Sequence, residues 1–378
     1  MIFINALSSL RGGGQTYLLH LLKRIPEHLY GKVIVLAHQK NQHIFSPYKD
    51  QIQILVSDIA SRSLLHRVFF EFILLEQILI ENKVKVFFSV SGLVPKWKLK
   101  GIRLVSVFQN QLPFAPTERK RYPYGFMRFK LLFLKFLQIQ SLKNSDLCIF
   151  LTEYSRKTII AHVSKPLKGS IVIGHGLNQW FRDQPSEGKP EGLPEEYVLY
   201  VSNLDVYKAQ LEVIQAWNNL RKKRETREKL IFLGPEEAYY GNKIRTEIKK
   251  LGLEKEVLIL KSVAYEEMPR YYHNAKINIF ASSCETFGII LLEKLAGGKP
   301  VFCSNFEPCP EIAKDSVEYF NPYQPETLTD LFLKYIDDKE AMSRLGEKAS
   351  RHALNFDWAD TATQTWRVLD IQTDKSVD

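Results

Sequence analysis

Short β-branched runs alternate with longer amphipathic stretches along the chain. In the first half the runs predict strands over 2–6, 33–37, 52–56, 84–90, 104–108, 147–151 and 170–173. Helical spacing lies between them, at 15–23, 64–81, 126–143 and 153–162. The strand runs are apolar on both faces rather than alternating, which is the pattern of a parallel sheet covered by helices on each side. Residues 183–196 read DQPSEGKPEGLPEE, with no periodicity and many breakers, and predict a linker. Beyond it the alternation restarts, with strands over 197–201, 229–233, 257–260, 277–281 and 300–303 and helices over 209–222, 242–251, 268–274 and 288–296. Helical patterns dominate from Pro325 onward. The expected fold class is α/β, with two Rossmann-like domains facing each other across a cleft: 1–182, the linker, then 197–355. Ligands of such sheets lie beyond the carboxyl ends of the strands.

Composition narrows the function. The chain is 45% hydrophobic and 25% charged, which excludes a disordered or collagen-like protein. Its 378 residues suit two domains better than one core. The four cysteines, Cys148, Cys284, Cys303 and Cys309, form no CxxC pair, so a reducing compartment is expected. The net charge of +10 hides an asymmetry: residues 1–190 hold 27 Lys and Arg against 11 Asp and Glu, and the rest 25 against 31. A basic half of this kind suits nucleic acid, an anionic membrane or a phosphorylated substrate. No helix-turn-helix or RNP-type motif accompanies it, which leaves nucleic acid the weakest of the three.

Two long apolar stretches fall short of the ~20 residues a membrane span needs. Arg67, Glu71 and Glu76 interrupt 64–80, and Arg128, Lys130 and Lys135 interrupt 126–139. The N-terminal run lacks the basic segment of a signal peptide, so a cytoplasmic location is expected. Residues 126–143, FMRFKLLFLKFLQIQSLK, follow Arg119-Lys120-Arg121. They fit a basic amphipathic helix on an anionic membrane, and equally a helix packed on the sheet with lysines at its rim.

Four places can carry chemistry. Arg11-Gly12-Gly13-Gly14 follows the first strand and opens the first helix, where backbone can approach a phosphate or sugar closely; it also fits a flexible turn, and it is not the spaced GxGxxG of a nicotinamide site. In Ser283-Cys284-Glu285-Thr286-Phe287-Gly288-Ile289, Glu285 lies on a loop past a strand end and Gly288 turns the chain into a helix. Glu293 falls within that helix among Ile289, Ile290, Leu291, Leu292 and Leu295, so its carboxylate is expected to have a partner. Helix N–H groups suit a diphosphate and carboxylates suit hydroxyls. Lys208 stands at another strand-to-helix turn, placed either to meet a phosphate or as surface charge. Gln109 and Asn110, at the end of a buried strand, and His175, between two glycines, suit hydrogen bonds to sugar hydroxyls or a structural loop. No HxxxH, DxD or Cys/His cluster predicts a metal site, and no GxSxG predicts a hydrolase.

Taken together, CETFGIILLEKLAGGKPV with seven residues between Glu285 and Glu293, the preceding INIFASS and the VSNLDVYKA stretch resemble the retaining glycosyltransferases of GT-B fold, family four (the group 1 glycosyltransferases). FDWADTATQTW is similar to that family's closing helix, and RGGG with SVFQNQLPF resembles a subgroup concerned with bacterial surface polysaccharide and lipopolysaccharide. The resemblance implies a retaining hexosyltransferase that needs no metal or cofactor beyond its co-substrate, a nucleoside-diphosphate sugar. Glu293 would hold the ribose; Glu285, Phe287, Gly288 and Ile289 the transferring sugar and diphosphate; Lys208 the leaving charge. Asn203, Ser262 and Val263 would complete the donor site. The N-terminal domain would bind a glycan or lipid-linked glycan through Arg11, Gly13, Gly14, Gln109, Asn110 and His175, with 356–378 crossing back onto it. Where the family often has an arginine, this chain has Ser202-Asn203; where many members have a histidine, it has Gln109-Asn110. A nucleotide-sugar epimerase or sugar phosphorylase on the same architecture is the enzymatic alternative, and a nucleic-acid-binding protein the other.

Overall fold

The computed structural model describes residues 1–10, 12–94, 101–183, 188–236 and 238–370. It divides into two compact units: Met1–Phe114 with Gly125–Gly176 and the chain from Trp358, and Ala115–Tyr124 with Leu177–Asp357.

The first unit is built on a seven-stranded parallel sheet of order β3-β2-β1-β4-β5-β6-β7. The strands are β1 Ile2–Asn5, β2 Val33–Ala37, β3 Ile52–Val56, β4 Val86–Ser89, β5 Arg103–Phe108, β6 Leu147–Phe150 and β7 Ser170–Val172. β1, β2 and β4 are buried at every position, whereas the edge strands β3 and β7 are only partly covered. That gradient explains why the central strands are unbroken apolar runs.

The helix Trp358–Leu369 belongs to this unit because its apolar stripe fits the helix Gly13–Leu22. Trp358, Thr361, Ala362, Thr365, Trp366 and Leu369 are buried at helical spacing. Tyr17 and Thr365 share a hydroxyl hydrogen bond of 2.8 Å, and Trp366 Nε1 donates to Leu21 O at 2.9 Å.

The second unit has a six-stranded parallel sheet of order β10-β9-β8-β11-β12-β13. Its strands are β8 Tyr197–Val201, β9 Lys229–Leu233, β10 Val257–Leu260, β11 Ile277–Phe280, β12 Val301–Ser304 and β13 Glu318–Phe320. Trp217 packs edge-on to Phe332, with ring centroids 5.5 Å apart, under a sheet whose central residues are fully buried.

Several sequence expectations shift. The helix expected over 64–81 is broken into Leu64–Phe69, a wider π turn Phe70–Leu74, and Leu75–Glu81. The turn carries Glu71, whose buried carboxylate accepts from Asn5 Nδ2 at 3.0 Å and from Arg67 Nε at 3.3 Å; such inserted turns accommodate a side chain that a regular helix would aim elsewhere. The helix expected from residue 242 is already formed at Tyr239, within Ala238–Lys250. The short edge strand β13 and the helix Pro116–Arg121 carry too little periodicity to be read from the sequence. Part of the expected linker, 184–187, and residues 371–378 lie outside the described residues.

Candidate active site

In each sheet the strand order reverses once, at β1/β4 and at β8/β11. Beyond the carboxyl ends at such a switch point the connecting loops leave in opposite directions and open a crevice. The candidate residues gather at these points.

In the second unit, β8 leads into a 3₁₀ turn, Val206–Lys208, capped by Asp205: its Oδ1 accepts from Val206 N at 2.7 Å, and its carbonyl from Lys208 N at 2.9 Å. Ala209 follows with φ of +54°, a left-handed conformation that costs a non-glycine residue roughly 1–2 kcal/mol. β11 leads into the loop 281–288. Ser283 donates both its N–H (2.9 Å) and its hydroxyl (3.0 Å) to Tyr207 O, which ties the two loops together. Across this tie Lys208 Nζ donates to Glu285 Oε1. Lys208 is only 5% exposed, so its ammonium needs that carboxylate. Burial alone would lower its pKa; the Glu285 charge outweighs burial, and the net shift is upward.

Gly288, at φ of +87°, turns the chain into the helix Ile289–Ala296. A Cβ there would stand 3.2 Å from Phe280 Cζ, so the turn needs glycine for both space and dihedral. The N–H groups that open a helix have no carbonyl partner within it and attract anions. Phe287 is buried, edge-on to Phe356 at 6.2 Å.

Glu293, buried, has the partners its apolar surroundings demanded: Tyr265 donates to Oε1 at 2.7 Å and Tyr272 to Oε2 at 3.1 Å. Burial pushes its pKa up, against these two phenols and Lys294. Tyr265 opens the short turn just after Ser262 and Val263, which are exposed and half-buried. Asn203 contributes its carbonyl to Gln210 Nε2 at 2.9 Å.

Sequence reasoning missed Lys294. It is fully buried; its Nζ donates to Val201 O at 2.9 Å and lies 5.4–5.6 Å from the ring centroids of Tyr200, Tyr272 and Phe280. Burial drives its pKa down to about 7. A lysine between Leu292 and Leu295 was the available signal.

In the first unit the helix Gly13–Leu22 begins at two glycines that face predicted partners. A Cβ on Gly14 would stand 3.0 Å from Gln109 Oε1, and one on Gly13 would stand 3.9 Å from His175 Nε2. Gly13, Gly14, Gln109 and His175 are thus brought together. Asn110 is exposed, and Arg11 lies outside the described residues. His175 is buried against Tyr17 and Trp358, at 5.6 and 5.2 Å between ring centroids. Burial, with His20 adding to it, lowers its pKa to about 3. The neutral ring offers one donor and one acceptor but no useful basicity at neutral pH.

Residues 182–352 match the family model described as glycosyl transferases group 1. The chain is 32% identical over 117 residues to a D-inositol 3-phosphate glycosyltransferase of Corynebacterium efficiens, covering 30% of this chain and 28% of that protein. It is 24% identical over 238 residues to O-antigen chain mannosyltransferase B of Escherichia coli, covering 60% and 61%. The chain therefore matches less than two thirds of the length of these relatives. Among solved structures, Anabaena HepE in complex with UDP and glucose superposes with a TM-score of 0.72 at 14% identity, covering 97% of this chain and 98% of that one. Sucrose-phosphate synthase from Thermosynechococcus elongatus gives 0.77 at 15% identity, covering 99% of both. The two-sheet α/β fold is the one these structures have.

The Lys294 environment predicts a pH-dependent stability. Between its native pKa near 7 and the ordinary lysine value, the unfolded chain holds a proton that the native chain does not. Stability therefore rises with pH in that interval. In urea unfolding from pH 7 to 8.5, the wild type is expected to gain about 1–2 kcal/mol relative to Lys294→Met. A pH-independent difference between the two would contradict this.

Proposed function

We propose that the chain, whose residues 182–352 match the family model described as glycosyl transferases group 1, transfers a sugar from a nucleoside diphosphate to a hydroxyl acceptor, with retained anomeric configuration. The observation that carries this reading is the Lys208–Glu285 pair at the β8/β11 switch point, beside a helix that begins at a left-handed glycine. In the transfer, the bond from the anomeric carbon to the diphosphate breaks as the bond to the acceptor oxygen forms, and the acceptor's proton passes to the departing diphosphate. The demanding event is the departure of the diphosphate while the sugar becomes oxocarbenium-like. Lys208 and the N–H groups at Gly288 and Ile289 meet the charge that develops there, already oriented, and that is the electrostatic term that counts most. Glu285 receives sugar hydroxyls, and Glu293 receives the ribose through lone pairs that Tyr265 and Tyr272 leave available. The ammonium supplies the positive charge a metal would otherwise bring.

We assign the acceptor to the first unit, through Gly13, Gly14, Gln109, Asn110 and His175. These groups orient hydroxyls; they do not remove protons. The O-antigen mannosyltransferase among the relatives supports an acceptor in surface polysaccharide or lipopolysaccharide synthesis, and the UDP complexes among the structural neighbours support a nucleotide-linked donor.

The surface of the first unit supports peripheral attachment to the cytoplasmic face of a membrane. Among the described residues no helix is long and apolar enough to cross one. The helix Phe126–Asn144 exposes Phe126 (80%), Phe129, Leu132, Phe133 and Phe136, interleaved with Arg128, Lys130 and Lys135. The helical segments between β3 and β4 expose Leu65 (82%), Phe69, Ile73 and Ile80. Right-handed crossovers place both connections on one face of the sheet. Apolar rows with cations between them suit an anionic bilayer carrying a lipid-linked acceptor.

A thermal-shift panel of UDP, GDP, ADP and their sugars is expected to single out one nucleotide. With that donor, Lys208→Ala should lower kcat by about 10²–10³-fold, and Glu293→Ala should weaken donor binding by at least about tenfold. Wild-type turnover in the first variant, or wild-type donor affinity in the second, would refute the assigned role. In sedimentation, the chain should be retained on anionic but not zwitterionic vesicles and released by salt, and Phe129→Ser/Phe133→Ser should abolish retention. Recovery of the wild type in the supernatant would refute the membrane reading.

A further inference from the structure

The segment Ala115–Tyr124 follows β5 and precedes the helix Phe126–Asn144, both of the first unit, yet it packs within the second. It contains the short helix Pro116–Arg121, and two of the segment's side chains are committed to neighbours there. Tyr122, 4% exposed, donates its phenol to Asp205 Oδ1 at 2.6 Å. That same oxygen caps Val206 N, and the Asp205 carbonyl holds Lys208 N, so the phenol acts on the residue that sets the lysine turn. Arg121 locks the segment down: it pairs with Glu118 at 3.2 Å and with Glu212, and lies 5.1 Å from the Tyr323 ring centroid.

One short stretch thus reaches the loop that presents Lys208, at the residue that anchors it. We propose that Ala115–Tyr124 is a positioning strap for Lys208, acting through Tyr122 on Asp205 and held in place by Arg121 on Glu212. A strap is needed because Lys208 sits against a left-handed alanine, a conformation that persists only where surrounding contacts over-determine it. The backbone on one side is held by Tyr200, whose phenol donates to Lys208 O, and on the other by the Asp205 cap. Tyr122 adds to that cap a bond from outside the loop. The bond falls on the turn that carries Lys208, so the strap governs the phosphate end of the site rather than the ribose end at Glu293. This division rests on the donor-site reading above; the strap's hold on Lys208 does not.

The test has two arms. In the first, without ligand, the protein is treated with a water-soluble acetylating reagent and Lys208 and Lys294 are followed by mass spectrometry. Tyr122→Phe should raise the rate of Lys208 modification at least fivefold and leave Lys294 unchanged. In the second, calorimetry compares the nucleoside diphosphate that stabilises the wild type with its nucleoside. Tyr122→Phe should weaken the diphosphate five- to twentyfold and the nucleoside less than twofold, and should have no further effect in a Lys208→Ala background. Arg121→Ala, which frees the strap from Glu212, should behave like Tyr122→Phe, while Arg121→Lys, which keeps a charge opposite Glu212, should stay close to wild-type values; this pair decides the matter if the Tyr122 variant fails to fold. Unchanged Lys208 reactivity, equal loss of nucleoside and diphosphate affinity, or an effect that persists in Lys208→Ala would overturn the strap. Raised Lys208 reactivity in a protein that binds no nucleotide at all would uphold the strap and instead defeat the donor-site reading.

Discussion

A buried ammonium has to be matched by a carboxylate or it does not stay charged. The contact between Lys208 and Glu285 meets that requirement with two residues 77 positions apart, each delivered by a loop from one of two adjacent parallel strands, β8 and β11. Much of the local structure of the second unit serves this contact. Asp205 fixes the turn, Ser283 joins the loops, and the left-handed Ala209 lets the helix Gln210–Lys223 start immediately behind the lysine. In the proposed transfer, the diphosphate meets charge that is already oriented and already desolvated, which is what makes such a group effective.

A second buried pair of residues, Glu293 and Lys294, shows the same constraint solved differently. They are neighbours in sequence and point to different partners. Glu293 is held by two phenols and Lys294 by the Val201 carbonyl and three aromatic faces. Lys294 thereby fastens the helix Ile289–Ala296 to the end of β8, the strand whose loop carries Lys208. The acidic group and the loop that carries Lys208 are consequently fixed to one frame, although neither touches the other directly in the hydrogen-bond network described above.

The parts of this account that were legible in the sequence are those fixed by local pattern. Strands buried on both faces are unbroken apolar runs, so β2, β8 and β9 match their expected limits, as do the partly covered edge strands β3 and β10. Gly288 was legible because a strand-to-helix turn at that place demands a left-handed residue. What the pattern did not carry is contact at long range. Nothing around Tyr122 distinguishes it from a surface tyrosine until the chain has folded and put Asp205 beside it. The phenols on Glu293 come from a different βα segment, and the interruption at Phe70–Leu74 follows from Asn5 reaching Glu71 across 66 residues. His175 lies between two glycines in the sequence, but the apolar cage that keeps it neutral is assembled from Tyr17 and Trp358 at opposite ends of the chain.

The most direct measurement is a crystal structure of the protein soaked with the nucleoside-diphosphate sugar that it binds. The account predicts phosphate oxygens within hydrogen-bond distance of Lys208 Nζ and of the N–H groups at Gly288 and Ile289, with the ribose hydroxyls on Glu293. A nucleotide bound at any other place, with Lys208 still held by Glu285 alone, would contradict it.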